Sequence, residues 1–185
     1  MVSGEKSKGP PNTLTSTGNR QEVKVKAFTL SNTPTLLSWI EGERDKKLWS
    51  GNTFAESLNR QAFLSHLNRE NLHPFSGFSP DEELIAYGEL VGKKEGEGIL
   101  CRVIVDPEHR GKGFGKTFCA KLLDIAFKKF RYRYVTLNAF HFNVPAIRCY
   151  KSLGFRQVAF RPKARRFHNQ NWDLVILRKD RPLAA

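Results

Sequence analysis

The sequence predicts an α+β fold, a mostly antiparallel mixed sheet flanked by helices, and three observations carry that expectation. Two helical signals near the start precede a meander of alternating strands. At the centre, a strand feeds a glycine-rich loop that opens an amphipathic helix and returns to another strand. The chain then closes with a short helix and two further strands. Its 185 residues, 39% of them hydrophobic, are enough for one domain with a substantial core.

In chain order, residues 1–21 are rich in Ser, Thr, Gly, Pro and Asn. They have little to bury and are expected to form a flexible N-terminal tail, leaving 22–185 as a single domain. The segment VKVKAFTL (23–30) gives a short strand signal. Thr33-Pro34 opens a helix carrying Leu36, Leu37, Trp39 and Ile40, with the proline at a tolerated first-turn position. The segment EGERDKK (41–47) is expected as a loop. A second helix is expected from Thr53 to about Asn68, with Phe54, Leu58, Ala62 and Phe63 at helical spacing. Phe75–Phe78 and Leu84–Val91 form two strands around the turn Pro80-Asp81-Glu82, and Ile99–Val105 forms a third. Phe114, Phe118, Leu122, Ile125 and Ala126 make the stripe of the central helix. Tyr134–Phe140 alternates as a strand. Pro145 starts and Gly154 ends a short helix, and Phe155–Phe160 and Trp172–Leu177 are the last strands.

No apolar run reaches the roughly 18 residues of a membrane span. The first twenty residues lack a signal-peptide core. A cytoplasmic protein without membrane contact is therefore the expectation. The three cysteines, Cys101, Cys119 and Cys149, are widely spaced in apolar segments and are read as small buried hydrophobes. The net charge is +13, and residues 101–170 alone hold 16 Lys/Arg against 3 Asp/Glu. Such a localised excess suits a polyanion: nucleic acid, an acidic surface or a phosphorylated cofactor.

The loop Arg110-Gly111-Lys112-Gly113-Phe114-Gly115, followed by Lys116, joins strand to helix. Glycine permits close backbone approach and positive φ. Unpaired amides at a helix start, with the helix dipole, favour an anion. Arg110, Lys112 and Lys116 add charge, so a diphosphate fits. The spacing matches neither G-x-x-x-x-G-K-[ST] nor G-x-G-x-x-G.

Downstream lies Asn143-x-x-Ala146-x-x-x-Tyr150-x-x-x-Gly154-Phe155. Together with Arg-x-x-Gly-x-Gly at 110–115, in this order and separation, it resembles the GNAT superfamily of N-acetyltransferases. The likeness implies a GNAT-like acyl-CoA N-acyltransferase fold, with a mostly antiparallel sheet and a splayed parallel strand pair. It implies acetyl-CoA (coenzyme A) as cofactor, and no metal. By resemblance, Val103, Ile104 and Val105 would pair with the pantetheine arm. The amides of Arg110 to Lys116, namely Arg110, Gly111, Lys112, Gly113, Phe114, Gly115 and Lys116, would seat the pyrophosphate. Asn143 and Ala146 would lie against the cofactor, though an Asn there is also a common helix cap. Tyr150 would protonate the leaving thiolate. Many family members carry a glutamate base where this chain has Asn138. Glu97 and Glu89 are the candidate replacements, each equally readable as an exposed strand carboxylate.

The resemblance also implies an acceptor pocket formed from Trp39–Thr53 and Arg161–Trp172. Thr35–Phe54 resembles a bacterial subgroup related to ribosomal-protein N-terminal acetyltransferases. Glu41, Glu43 and Asp45 could attract a cationic amine or lie solvated. The expected reaction moves an acetyl group to a primary amine, a protein N-terminus or a small amine, by direct attack in a ternary complex. The alternative is a non-catalytic basic module that contacts nucleic acid or the ribosome through the 101–170 region, where Arg161–Arg166 adjoins Phe160 and Phe167. Either a monomer or a homodimer is compatible with the sequence.

Overall fold

The computed structural model describes residues 22–183; the expected tail at 1–21 lies outside the described residues. Among these residues, seven strands form one sheet: β1 (Lys24–Ala27), β2 (Leu72–Phe78), β3 (Leu84–Gly92), β4 (Glu97–Val105), β5 (Tyr134–Phe140), β6 (Arg156–Phe167) and β7 (Gln170–Asp180). Their order is β1-β2-β3-β4-β5-β7-β6. Every neighbouring pair is antiparallel except β4 and β5, which are parallel. That parallel ladder is short, pairing only Glu97, Gly98 and Ile99 with Tyr134, Val135 and Thr136. Beyond Ile99 the two strands part, as the splayed pair predicts.

Among the described residues, five α-helices cover the sheet: α1 (Thr33–Ser38), α2 (Gly42–Ser50), α3 (Arg60–Leu67), α4 (Phe114–Asp124) and α5 (Val144–Ser152). Helix α4 packs its stripe on one sheet face, where Phe118, Leu122 and Ala126 are fully buried with Ile85, Leu90 and Val135. Gly77 and Gly88 allow the close approach, because a Cβ on either would meet the Phe118 ring at 2.8 or 3.0 Å. On the opposite face, Leu36, Trp39, Phe54 and Phe63 close over Leu84 and Tyr87. The central strand β3 is thus buried along most of its length, as a strand covered on both faces must be.

Two expectations about the helices are corrected. The segment 41–47 is not a loop but most of α2. Its apolar content is low, so periodicity concealed it; Glu43 and Asp45 in the first turn and Lys47 in the last complement the helix dipole. The expected helix from Thr53 begins only at Arg60, where Asn59 caps it by accepting the Ala62 N–H at 2.9 Å. Gly51, at φ 60°, ends α2, and Phe54 stacks on Trp49 at 5.8 Å rather than starting a turn. Strands β6 and β7 also run longer than their apolar segments indicate, because their hairpin continues through polar residues to Phe167 and Gln170. Helix α4 extends into one wider i→i+5 turn, in which the Phe130 N–H reaches the Ile125 carbonyl at 3.1 Å.

Candidate active site

The divergence of β4 and β5 opens two cavities that share a seam. The first, about 710 Å³, runs along β4 past the glycine loop; the second, about 530 Å³, lies in the opening between β4 and β5. Leu48, Trp49, Val103, Asn143, Ala146 and Tyr150 line both. An extended ligand in the first cavity would therefore meet a second ligand at Tyr150.

One end of the first cavity is lined by the start of α4 and its glycines. Gly113 is the N-cap of α4 at φ 90°, and Gly111 lies at φ 76°. A Cβ added to either meets nothing within 4 Å, so both glycines face open space in a conformation that other residues resist. Gly115 is small for another reason: its Cβ would press on Val105 Cγ2 at 3.2 Å. Helix α4 has no acidic residue in its first turn, leaving its positive end unneutralised. Arg110, Lys116 and Arg148 line the cavity. Phe114 is buried and anchors the helix start. Lys112 is exposed and, like Phe114, is not part of the lining. His109 pins the approach to this loop, with Nδ1 3.0 Å from Asp106 and its ring edge-on to Phe114 at 5.5 Å. The free helix end and the empty space before Gly111 and Gly113 fit the diphosphate of coenzyme A.

Of the β4 residues assigned to the cofactor arm, Val103, Ile104 and Val105 all line this cavity. The Val105 carbonyl already accepts from Arg110 Nε at 3.0 Å. Asn143 caps α5, its side chain accepting the Ala146 N–H at 3.4 Å. The local cap and a place on the cavity wall thus coexist in one residue.

Tyr150 packs edge-on to Phe155 at 5.9 Å. Among the described residues its hydroxyl has no hydrogen-bond partner. Burial, with the thiols of Cys119, Cys149 and Cys101 nearby, pushes the phenol well above its ordinary value. It stays protonated and can act as a donor.

The two candidate bases are not brought to the seam. Glu97 sits at the start of β4, in the closed part of the ladder, where its Oε1 accepts from Thr136 at 2.9 Å; it lines neither cavity. Glu89 is not an exposed strand carboxylate but is fully buried. Tyr87 donates to it at 2.7 Å and Arg102 Nε at 2.6 Å, while His66 Nε2 lies 3.1 Å from both its oxygens. Burial raises its pKa, but hydrogen bonds from His66 and Arg102 outweigh burial and hold the carboxyl below its ordinary range.

This network shapes β4. Tyr87 faces Ile104 and Glu89 faces Cys101, so β4 carries one extra residue there. Arg102 occupies that bulge at φ 49°. Its guanidinium reaches Glu89, and its carbonyl accepts from Trp49 Nε1 at 2.8 Å. The bulge lies where the strands separate, and Arg102 takes a left-handed conformation held from both sides. Sequence reasoning missed Arg102; the available signal was a charge inside an otherwise apolar strand.

The cysteine reading holds for Cys119, which is buried, but Cys101 and Cys149 are partly exposed on the cavity walls. Burial pushes the Cys101 thiol up to about 12, so it offers no base. Asp45 lines the first cavity, not the second, and the exposed Glu43 pairs with Lys46 at 2.7 Å. The acidic stretch therefore does not face the second cavity.

Comparison with known proteins agrees with this architecture. The fold is similar to the spermidine N-acetyltransferase from Vibrio cholerae in complex with CoA and spermine, at 17% identity and a TM-score of 0.74, covering 86% of this chain and 95% of that one. It is also similar to a chimera of the Vibrio cholerae spermidine N-acetyltransferase SpeG and hSSAT, at 18% identity and a TM-score of 0.73, again with 86% and 95% covered. No helix among the described residues is long and apolar enough to cross a membrane. Residues 36–155 match the Acetyltransferase (GNAT) family, so the chain belongs to that family and is an acetyl-CoA-dependent N-acetyltransferase.

Proposed function

We propose that this acetyltransferase acetylates a primary amine, either a protein N-terminus or a small amine, by direct attack in a ternary complex, with residues 22–185 as one catalytic domain. The observation that carries this reading is the pair of cavities meeting at Val103 and Tyr150. Bound acetyl-CoA supplies the thioester whose acetyl group is transferred. The amides from Arg110 to Lys116 hold its pyrophosphate, with Arg110 and Lys116 as counter-charges. The β4 edge at Val103–Val105 orients the pantetheine arm, and its main-chain N–H groups polarise the thioester carbonyl. Asn143 and Ala146 close the cofactor wall. Tyr150 donates its proton to the departing sulfur.

No carboxylate or imidazole lines the second cavity among the described residues. The attacking amine therefore gives its proton to water rather than to Glu97 or Glu89. The spermidine and spermine of the structural neighbours are amines, which supports the general chemistry. The likeness of Thr35–Phe54 to ribosomal-protein N-terminal acetyltransferases supports a peptide α-amine instead. A ribosome or nucleic-acid contact belongs to the same proposal, supported by exposed Arg161, Lys163 and Arg166 on β6 beside Phe160, which is 45% exposed. Retention on heparin at physiological salt tests that contact.

Tyr150→Phe tests the central step. It should lower kcat by about 10²–10⁴-fold while coenzyme A affinity, measured by calorimetry, stays near wild type. Unchanged turnover would remove Tyr150 as the acid.

A further inference from the structure

The second cavity has a charge character that neither the acidic stretch at 41–45 nor the amine chemistry anticipates. Its lining includes Arg69, Lys93, Arg102 and Arg165, and among the described residues no Asp, Glu or His. These cations come from four separate elements: the turn after α3, the turn after β3, the bulge of β4 and the β6–β7 hairpin. Arg102 is neutralised from behind by buried Glu89. The other three have no such compensation. Among the described residues, the side chains of Arg69 and Lys93 make no hydrogen bond or ion pair, and Arg165 gives one N–H to the Ala164 carbonyl.

The hairpin is irregular where it supplies Arg165. Between Arg161, which faces Leu174, and Arg165, which faces Trp172, β6 carries two extra residues. Lys163 there takes φ 48°, and its N–H donates to Asp173 at 2.7 Å. The distortion interrupts the alternation of β6 just before Arg165, a half-buried residue of the cavity wall.

We propose that Arg69, Lys93 and Arg165 select an acceptor carrying an anionic group, a carboxylate or a phosphate, near its primary amine. This rests on the acetyltransfer reading above and specifies its substrate class. The anion of such an acceptor pairs with the guanidinium and ammonium heads. The same positive surroundings favour the neutral form of its amine, the form that attacks, in a cavity whose walls, among the described residues, supply no carboxylate or imidazole. A polyamine brings further positive charges into a cavity that already holds uncompensated ones. It is therefore disfavoured, even though the similar solved structures are of spermidine acetyltransferases.

The experiment measures free-thiol release at saturating acetyl-CoA for matched acceptors. Glycine is set against glycinamide, O-phosphoethanolamine against ethanolamine, and a short peptide amide beginning with Glu against one beginning with Gln, with spermidine as the polycation. The expected result is a kcat/KM about tenfold or more higher for the anionic member of at least one pair, one charge-assisted hydrogen bond being sufficient. The pair that responds tells a free amino acid, a phosphate or a peptide apart. Raising ionic strength should shrink the preference, because the heads lie partly in solvent. Arg165→Gln and Arg69→Gln should each reduce it without changing coenzyme A affinity. Preference for spermidine or for the neutral members overturns the proposal, as does an anionic preference that survives both substitutions. Turnover of none of these amines by a protein that binds acetyl-CoA also overturns it. A protein that fails to bind acetyl-CoA would instead overturn the acetyltransfer reading.

Discussion

Glu89→Gln is the sharpest test of how the buried network holds the active strand. Glu89 is 0% exposed and is the counter-charge of Arg102, whose side chain is only 9% exposed. The substitution keeps the shape and one acceptor oxygen but leaves the guanidinium without a neighbouring anion. Removing one member of a buried pair costs about 3–5 kcal/mol, with Gln at the low end because it still accepts a hydrogen bond. For a chain of this length each kcal/mol lowers Tm by about 2–4 °C, so a fall of about 6–20 °C is expected in thermal melts followed by circular dichroism. The dependence on pH has a definite sign. The folded Glu89 carboxyl titrates below the ordinary value of 4.5, so its contribution is present above that value and is lost as pH falls through the depressed folded value. Wild type and Glu89→Gln should thus differ most near neutrality and converge in acid. Adding Arg102→Gln to Glu89→Gln should cost less than the sum of the single changes. A loss below about 1 kcal/mol, the scale of one ordinary hydrogen bond, or a wild-type-to-variant difference that does not change in acid, refutes the reasoning.

Other perturbations separate packing from binding. Gly113→Asp places a carboxylate at the N-cap of α4 and an L side chain at φ 90°. Coenzyme A affinity by calorimetry should fall about tenfold or more, whereas Gly113→Ala, whose Cβ meets nothing within 4 Å, should show mainly a backbone cost of roughly 1–2 kcal/mol. Normal coenzyme A binding by the Asp variant would put the pyrophosphate elsewhere. Gly98→Ala should destabilise by about 1–3 kcal/mol in urea unfolding, because its Cβ would overlap Cδ2 of the buried Tyr132 ring; an unchanged midpoint would show that the ring moves freely. Trp49→Phe keeps an aromatic ring on Phe54 but removes the donor to the Arg102 carbonyl. It should cost about 1–3 kcal/mol and raise KM for the acceptor more than for acetyl-CoA; equal changes in both would mean that Trp49 only packs.

The strand–loop–helix centre was legible because it is local. The three alternate glycines, the Phe114–Ala126 stripe and the Asn143-to-Phe155 spacing each encode their own geometry within a dozen residues, and Tyr134–Phe140 appears as the strand its alternation indicates. Helix α2 was not legible, since a polar segment stabilised by its dipole and by Trp49 has almost no apolar period. The seam of the two cavities also arises from distant parts of the chain. The end of the β4–β5 ladder at Ile99 is a property of two strands separated by the whole of α4, and no pattern within either strand records it. The buried state of Glu89 follows from His66 and Arg102, 23 and 13 residues away. The cationic second cavity brings together Arg69, Lys93 and Arg165, each of which is a solvated charge when read singly. The sequence by itself marked out the glycine loop at the head of α4 and Tyr150 on α5, because backbone conformation and helix ends are set by near neighbours. Only the tertiary structure decided the charge lining the second cavity, because charges exert their effect through space and burial, and both are known only once the chain has closed.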